Sequence, residues 1–152
     1  MKASRFKPAY YHTSTASIGR RGERVAAQYL RRRHYRILKR NYRCQVGEAD
    51  LIALGTDRTT IVLVEVKTRL YARGERRPEA NIDRAKQRKL RQVAEASRAA
   101  LGLLDRPLRI DVIAVELRRW PARSTVRHIE NAVSWTGVPR TASRARGPRS
   151  KR

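Results

Sequence analysis

GEADLIALGTDRTTIVLVEVKT, residues 47–68, is the stretch around which the rest of the chain is arranged. Residues 50–54 form a mostly apolar run and residues 61–66 a β-branched one, the composition of buried strands. Between them GTDRTT carries the Gly and Asp of a turn. The reading is a two-stranded hairpin. With a period of two, Glu48, Asp50 and Ile52 share one face of the first strand, and Leu63, Glu65 and Lys67 share one face of the second. If those faces coincide, carboxylates and an ammonium meet at one end of an apolar hairpin. Uncompensated buried charge costs several kcal/mol, so the cluster needs a chemical reason.

The 152 residues are enough for one domain with tails. Lys and Arg number 37 against 13 acids, a net charge of +24. Such a field attracts polyanions, above all nucleic acid, and works against basic partners. Only seven of the basic residues are lysine. The arginine excess can also arise from genomic base composition, but a lysine inside an apolar strand is not explained that way. The single Cys44 excludes an internal disulfide and a cysteine-based zinc site within one chain. The opening residues lack an apolar core of signal-peptide length, and nothing approaches a membrane span. A reducing cytoplasm is the expected home, and no membrane partner is expected.

Along the chain, residues 1–16 read as a flexible basic arm, with Tyr10 and Tyr11 either base-stacking or incidental. Residues 17–135 read as the folded domain. Ser17 is the expected N-cap of a first helix whose stripe is Ile18, Val25, Ala26, Tyr29 and Leu30. Gly19 and Gly22 permit close approach of a neighbouring element. Glu23 is either an exposed acid favoured by the helix dipole, a partner for Arg20 or Arg24, or part of the charged cluster. Residues 35–42 read as a first strand. Residues 69–81 form a patternless polar loop, long enough for a substrate loop.

A second helix is expected over residues 82–104, with Leu90, Val93, Ala94, Ser97, Leu101 and Leu104 as its stripe. Near its start, Lys86 and Gln87 lie on or beside the core-facing side. Lys86 either reaches the charged cluster or snorkels to solvent. Residues 108–115 read as a strand on which Asp111 shares a face with Arg109 and Ile113. A structural ion pair or a hydrogen bond to a loop is favoured for Asp111 over a metal role. Residues 127–129 make a short last strand and 130–135 a closing turn. His128 shows no Cys, Asp or Ser constellation and reads as ordinary, and Trp120 and Trp135 read as packing residues. Residues 136–152 are Pro, Gly, Ser and Arg, a disordered basic tail.

The central spacing is D-x14-E-x-K, from Asp50 to Glu65 and Lys67. Two carboxylates on neighbouring strands, with the main-chain carbonyl of Val66, offer the hard oxygens that suit Mg²⁺ or Mn²⁺. Such an ion polarises a scissile phosphate and lowers the pKa of water. Lys67, on the face of Glu65, can position or deprotonate the attacking water or stabilise phosphoryl charge, which an always-protonated Arg could do only in part. Glu23 and Glu48 are candidate outer ligands through water. The competing local reading is a structural ion pair of Glu65 with Lys67 or an Arg. Placement favours the metal reading: acids gathered where the rest of the chain is basic repel phosphate unless a cation lies between them.

Gly22-Glu23, Ala26, Tyr29-Leu30, Ile37-Leu38-Lys39-Arg40-Asn41-Tyr42-Arg43, Gly47-Glu48-Ala49-Asp50-Leu51-Ile52-Ala53, Val64-Glu65-Val66-Lys67-Thr68-Arg69, Lys86 with Lys89-Leu90, Asp111-Val112-Ile113 and His128-Ile129-Glu130-Asn131-Ala132 resemble the bacterial YraN family. The resemblance covers about residues 17–133. That family resembles the archaeal Holliday-junction resolvases and the PD-(D/E)xK nucleases. The resemblance implies an α/β fold, a restriction-endonuclease-like mixed central β-sheet flanked by α-helices. It places the metal acids on Asp50 and Glu65, the catalytic lysine on Lys67 and the first-helix acid on Glu23. Ala49 stands where the family's usual motif has Ile, and the leading Pro of the superfamily motif is absent. Fold can outlive chemistry, but all four expected catalytic positions hold competent residues.

These readings converge on a Mg²⁺- or Mn²⁺-dependent endonuclease acting on DNA, with branched DNA and a homodimer suggested by analogy. The alternative is a non-catalytic module binding DNA or RNA on the same fold. Arg43, Arg69, Lys86 and Gln87 are the candidate nucleic-acid contacts beside the cluster.

Overall fold

A computed structural model of the chain describes residues 15–70, 82–118 and 124–133. The elements are α1 (Thr15–Arg32), β1 (Arg36–Cys44), β2 (Gly47–Leu54), β3 (Ile61–Leu70), α2 (Arg84–Ala100), β4 (Leu108–Leu117) and β5 (Thr125–Ile129). The strands form one sheet in the order β1-β2-β3-β4-β5. β3 and β4 are parallel, joined through α2, and the other neighbours are antiparallel. The expected mixed sheet flanked by helices is therefore present.

Each face of the sheet is covered by one helix. Ala26, Ala27 and Leu30 of α1 pack on Leu51, Ala53, Val62, Val64, Ile113 and Val115. Leu90, Val93 and Ala94 of α2 pack on Ile52, Leu54, Ile61, Leu63 and Ile110. The central strands thus carry apolar side chains on both faces, which is why residues 61–64 read as a continuous run. Burying each such large side chain stabilises the fold by roughly 1.5–3 kcal/mol. No helix among the described residues is long and apolar enough to cross a membrane.

Several expected boundaries move. α1 begins at Thr15, so Ser17 lies inside the helix rather than capping it. β3 continues to Leu70 because its parallel ladder with β4 runs on to Leu70↔Leu117, which takes Arg69 out of the expected loop. α2 is shorter than expected. Asp83 caps its start, accepting the Lys86 N–H at 2.8 Å, and Gly102, at φ 66°, turns the chain away at its end. Leu101 is only partly buried, and Leu104 is 62% exposed, outside the stripe. β4 runs to Leu117 and β5 starts at Thr125. Tyr10, Tyr11, Trp120, Trp135, residues 71–81 and the basic tail lie outside the described residues.

Candidate functional site

The site grows from a fork between two strands. β2 and β3 pair from Leu54↔Ile61 to Leu51↔Val64, where their register ends. Beyond that point β2 stays with β1 and β3 stays with β4. Asp50 occupies the fork. Its Oδ2 accepts the Val66 N–H at 2.6 Å, taking the place of a ladder bond. The N–H and C=O of one strand residue lean toward the same neighbour, so the Val66 carbonyl opens on the fork as well.

Strict alternation along β2 breaks here. Ala49 and Ile52, an odd and an even position, both pack on the α2 side. Asn41, opposite Asp50 between the pairs Arg40↔Leu51 and Tyr42↔Ala49, has φ 49°. The regular pairing is interrupted at this position, and Asp50 is turned edgewise toward β3. The expected common face of Glu48, Asp50 and Ile52 is therefore not kept. Glu48 goes to the surface and pairs with Arg43 at 3.4 Å, with side chains 66% and 82% exposed. It is not an outer ligand of the cluster, and Arg43 is held beside it.

Glu65 lies on the α2 face, with its side chain 9% exposed. Its Oε1 accepts Lys67 Nζ at 3.2 Å and Lys86 Nζ at 3.1 Å. Lys86 therefore reaches the cluster rather than snorkelling away. Gln87 does not, because its Nε2 donates to the Ile82 carbonyl at 2.9 Å, back along its own segment. Glu23 arrives from the opposite side of the sheet. Any side chain at Gly22 would run into Thr68, so glycine there lets α1 lie directly on β3 and carries Glu23 to the fork. Gly19 makes no comparable approach; a Cβ there would meet open space. Glu23, Val66, Thr68 and Arg69 line a cleft of about 450 Å³ together with Ile18 and Leu70.

The electrostatics follow from this geometry. Burial pushes the Asp50 carboxyl up to about 6; the Val66 N–H pulls it down, Glu65 and Glu23 push it up, and Lys86 pulls it down. The acids therefore act on one another across the fork. Among the described residues no three His, Cys, Asp or Glu side chains converge as a ready-made metal cage. Mg²⁺ needs less, because it is bound through one or two carboxylates and keeps several waters. Asp50, Glu65 and the Val66 carbonyl are a hard-oxygen set of that kind, and a carboxylate raised by burial and by its acidic neighbours is one that a cation would relieve. The donor set fits the ion.

The chain matches the model of the uncharacterised protein family UPF0102, the YraN family, over residues 22–115. The chain belongs to this family. It is 44% identical over 117 residues to a UPF0102 protein of Geotalea uraniireducens, covering 76% of this chain and 88% of the relative. A Geobacter sulfurreducens relative is 44% identical over 115 residues, covering 76% and 87%. One from Caldanaerobacter subterraneus is 40% identical over 119 residues, covering 76% and 93%. The matched region contains Glu23, Asp50, Glu65, Lys67 and Lys86. Membership leaves the activity to be argued from the chemistry of those residues.

A second polar cluster was only half legible. Asp111 is fully buried and accepts from Arg109 Nε and Nη2, both at 2.9 Å, and from the Asn131 N–H at 2.9 Å. Both expected roles, ion pair and loop anchor, are therefore met. His128 is not ordinary: its Nε2 lies 2.8 Å from Asp111 Oδ2, its ring meets Tyr29 and Tyr35 edge-on, and its side chain is 4% exposed. Arg109 also reaches Glu130 at 3.0 Å and the Tyr35 hydroxyl at 2.9 Å. The available signal was strand pairing. With Ile113 opposite His128, Asp111 is a diagonal neighbour within side-chain reach. This network is satisfied from all sides and ties β5 to β4 and to the corner after α1.

Proposed function

We propose that this chain is a divalent-metal-dependent nuclease of the PD-(D/E)xK type that hydrolyses phosphodiester bonds of DNA in the cytoplasm. The observation that carries the reading is the fork: Asp50 edgewise between diverging strands, Glu65 buried beside it, and Lys67 two residues further on the face of Glu65. Asp50, Glu65 and the Val66 carbonyl would hold Mg²⁺ or Mn²⁺, with Glu23 behind a water. When bound, the ion supplies Lewis acidity at the scissile phosphate.

The chain's own residues do the rest. Lys67 Nζ, 39% exposed in its side chain, is available to hold a water by hydrogen bond and to balance charge developing on phosphoryl oxygen. Glu65 fixes that ammonium in place. The Val66 N–H orients Asp50, keeping one carboxylate oxygen engaged. Arg69 lines the cleft beside Glu23 and Val66, Arg43 stands at the surface with Glu48, and the +24 net charge draws the polyanion in. Branched DNA and a symmetric dimer belong to this reading by analogy with the resolvases.

A second reading has its own support. Glu65 is already neutralised by two lysines, as in a structural ion pair, which suits a nucleic-acid-binding module without chemistry. A cleavage panel separates the two. Duplex, single-stranded, flap and four-way DNA and matched RNA are incubated with EDTA, Mg²⁺ or Mn²⁺ and wild type, Asp50→Asn or Lys67→Ala. The nuclease reading expects metal-dependent cleavage by wild type, reduced at least about 10²-fold by either substitution, with binding retained. Binding without cleavage under every condition sinks it and leaves the second reading.

A further inference from the structure

Two ammonium groups share the Oε1 atom of Glu65, Lys67 at 3.2 Å and Lys86 at 3.1 Å. That is more positive charge than one carboxylate needs. The two lysines differ in how firmly they are placed. Lys67 is two residues along β3 from Glu65 and stays in its neighbourhood. Lys86 comes from the first turn of α2, where the helix dipole opposes a cation; the N-cap Asp83 bonds the Lys86 main-chain N–H, while the Lys86 ammonium goes to Glu65. What Lys86 reaches, rather than its helix, explains its position. Its charge also acts on Asp50. The ammonium thus serves both acids of the fork, where a divalent ion would be needed.

We infer that Lys86 is a displaceable place-holder for the divalent ion, releasing Glu65 when metal binds and turning to a phosphate oxygen of the nucleic acid. The inference rests on the metal-nuclease reading. Without metal, Lys86 lowers the repulsion between Glu65 and Asp50. With metal, three cationic partners would crowd one carboxylate; Lys67 is tied to Glu65 through β3, so the partner carried by the separate helix α2 is the one that leaves. Its side chain is 36% exposed, so the swing to solvent or phosphate is open. Metal and nucleic acid then strengthen each other's binding by the same factor, because each draws Lys86 off the other's competitor state. Lys86 is in this sense a positioning residue.

Calorimetric titration of Mn²⁺ into wild type, Lys86→Met and Lys86→Arg, without nucleic acid, tests this directly. Removing a competing unit charge a few ångströms from the ion should tighten Mn²⁺ binding about tenfold in Lys86→Met, while Lys86→Arg stays near wild type. The gain in DNA affinity between EDTA and Ca²⁺ should shrink in Lys86→Met and persist in Lys86→Arg. Thermal unfolding in EDTA verifies that each variant is folded. Equal or weaker Mn²⁺ binding by Lys86→Met overturns the place-holder. If that equality is found while Asp50→Asn loses Mn²⁺, the metal centre stands and only Lys86's role falls. If no variant, wild type included, binds Mn²⁺, both readings fall together.

Discussion

Asp50 is held in the fold at a cost. Its carboxyl is raised to about 6 from 3.8 by burial and by Glu65 and Glu23. Between about pH 4 and 6 the native state therefore holds a proton that the unfolded chain has released. Stability from this group is greatest below that window and is lost as pH rises through it. Asp50→Asn keeps an oxygen for the Val66 N–H and removes the charge. It should stabilise the metal-free protein at pH 7.5 by on the order of 2 kcal/mol, while abolishing metal-dependent cleavage. Thermal unfolding of both proteins from pH 4 to 8 checks it. Curves that stay parallel across that range would contradict a raised Asp50. Asp57 shows the opposite sign. Hydrogen bonds from the Thr60 hydroxyl and the Thr60 and Thr59 N–H groups lower its carboxyl to about 2. Its contribution to the turn is thus present above about pH 4 and lost only as pH falls through 2.

At the scale of elements, the placement of α1 decides whether Glu23 belongs to the site. Gly22 has no room for a Cβ against Thr68. Gly22→Ala should lift α1 from β3, destabilise the fold by roughly 1–3 kcal/mol through overpacking, and reduce cleavage by more than that loss of folded protein explains. Denaturant unfolding paired with single-turnover cleavage measures both. Gly47 has a parallel constraint. Its φ is 143°, and a methyl group there would sit 3.0 Å from both Lys89 and Val93 of α2, so glycine lets α2 lie against the start of β2. The helices were legible from their stripes, Leu90, Val93, Ala94 and Ser97 above all. The edgewise turn of Asp50 was not, because it depends on where two ladders part and on the Val66 N–H brought in from another strand.

For the whole molecule, two kinds of charge do different work. The buried Asp111 network closes the sheet: one carboxylate gathers Arg109, His128 and the Asn131 N–H. Asp111→Ala leaves Arg109 and His128 facing a buried void and should lower stability by about 3–5 kcal/mol, read by chemical denaturation; a loss under about 1 kcal/mol would mean β5 is held mainly by packing. The net charge of +24 acts outward. DNA affinity should fall by roughly 10³-fold or more between 50 and 200 mM salt if several phosphates are neutralised. A shallow slope in a filter-binding or anisotropy series would argue that most of the basic residues lie off the binding path.

The apolar runs, the turn between them and the helix stripes determined the hairpin and the two helices, and the D-x14-E-x-K spacing singled out Asp50, Glu65 and Lys67 as candidates, because each is a local pattern of burial and period. The resemblance to the family added the mixed central sheet and Glu23. Only the tertiary structure decided that β2 and β3 part at Asp50, that Glu48 leaves the cluster for Arg43, that Lys86 reaches Glu65 while Gln87 does not, and that His128 joins Asp111. These outcomes depend on side chains brought together from distant segments, and on how strand twist and helix docking aim them. Residue order along one strand does not contain that information.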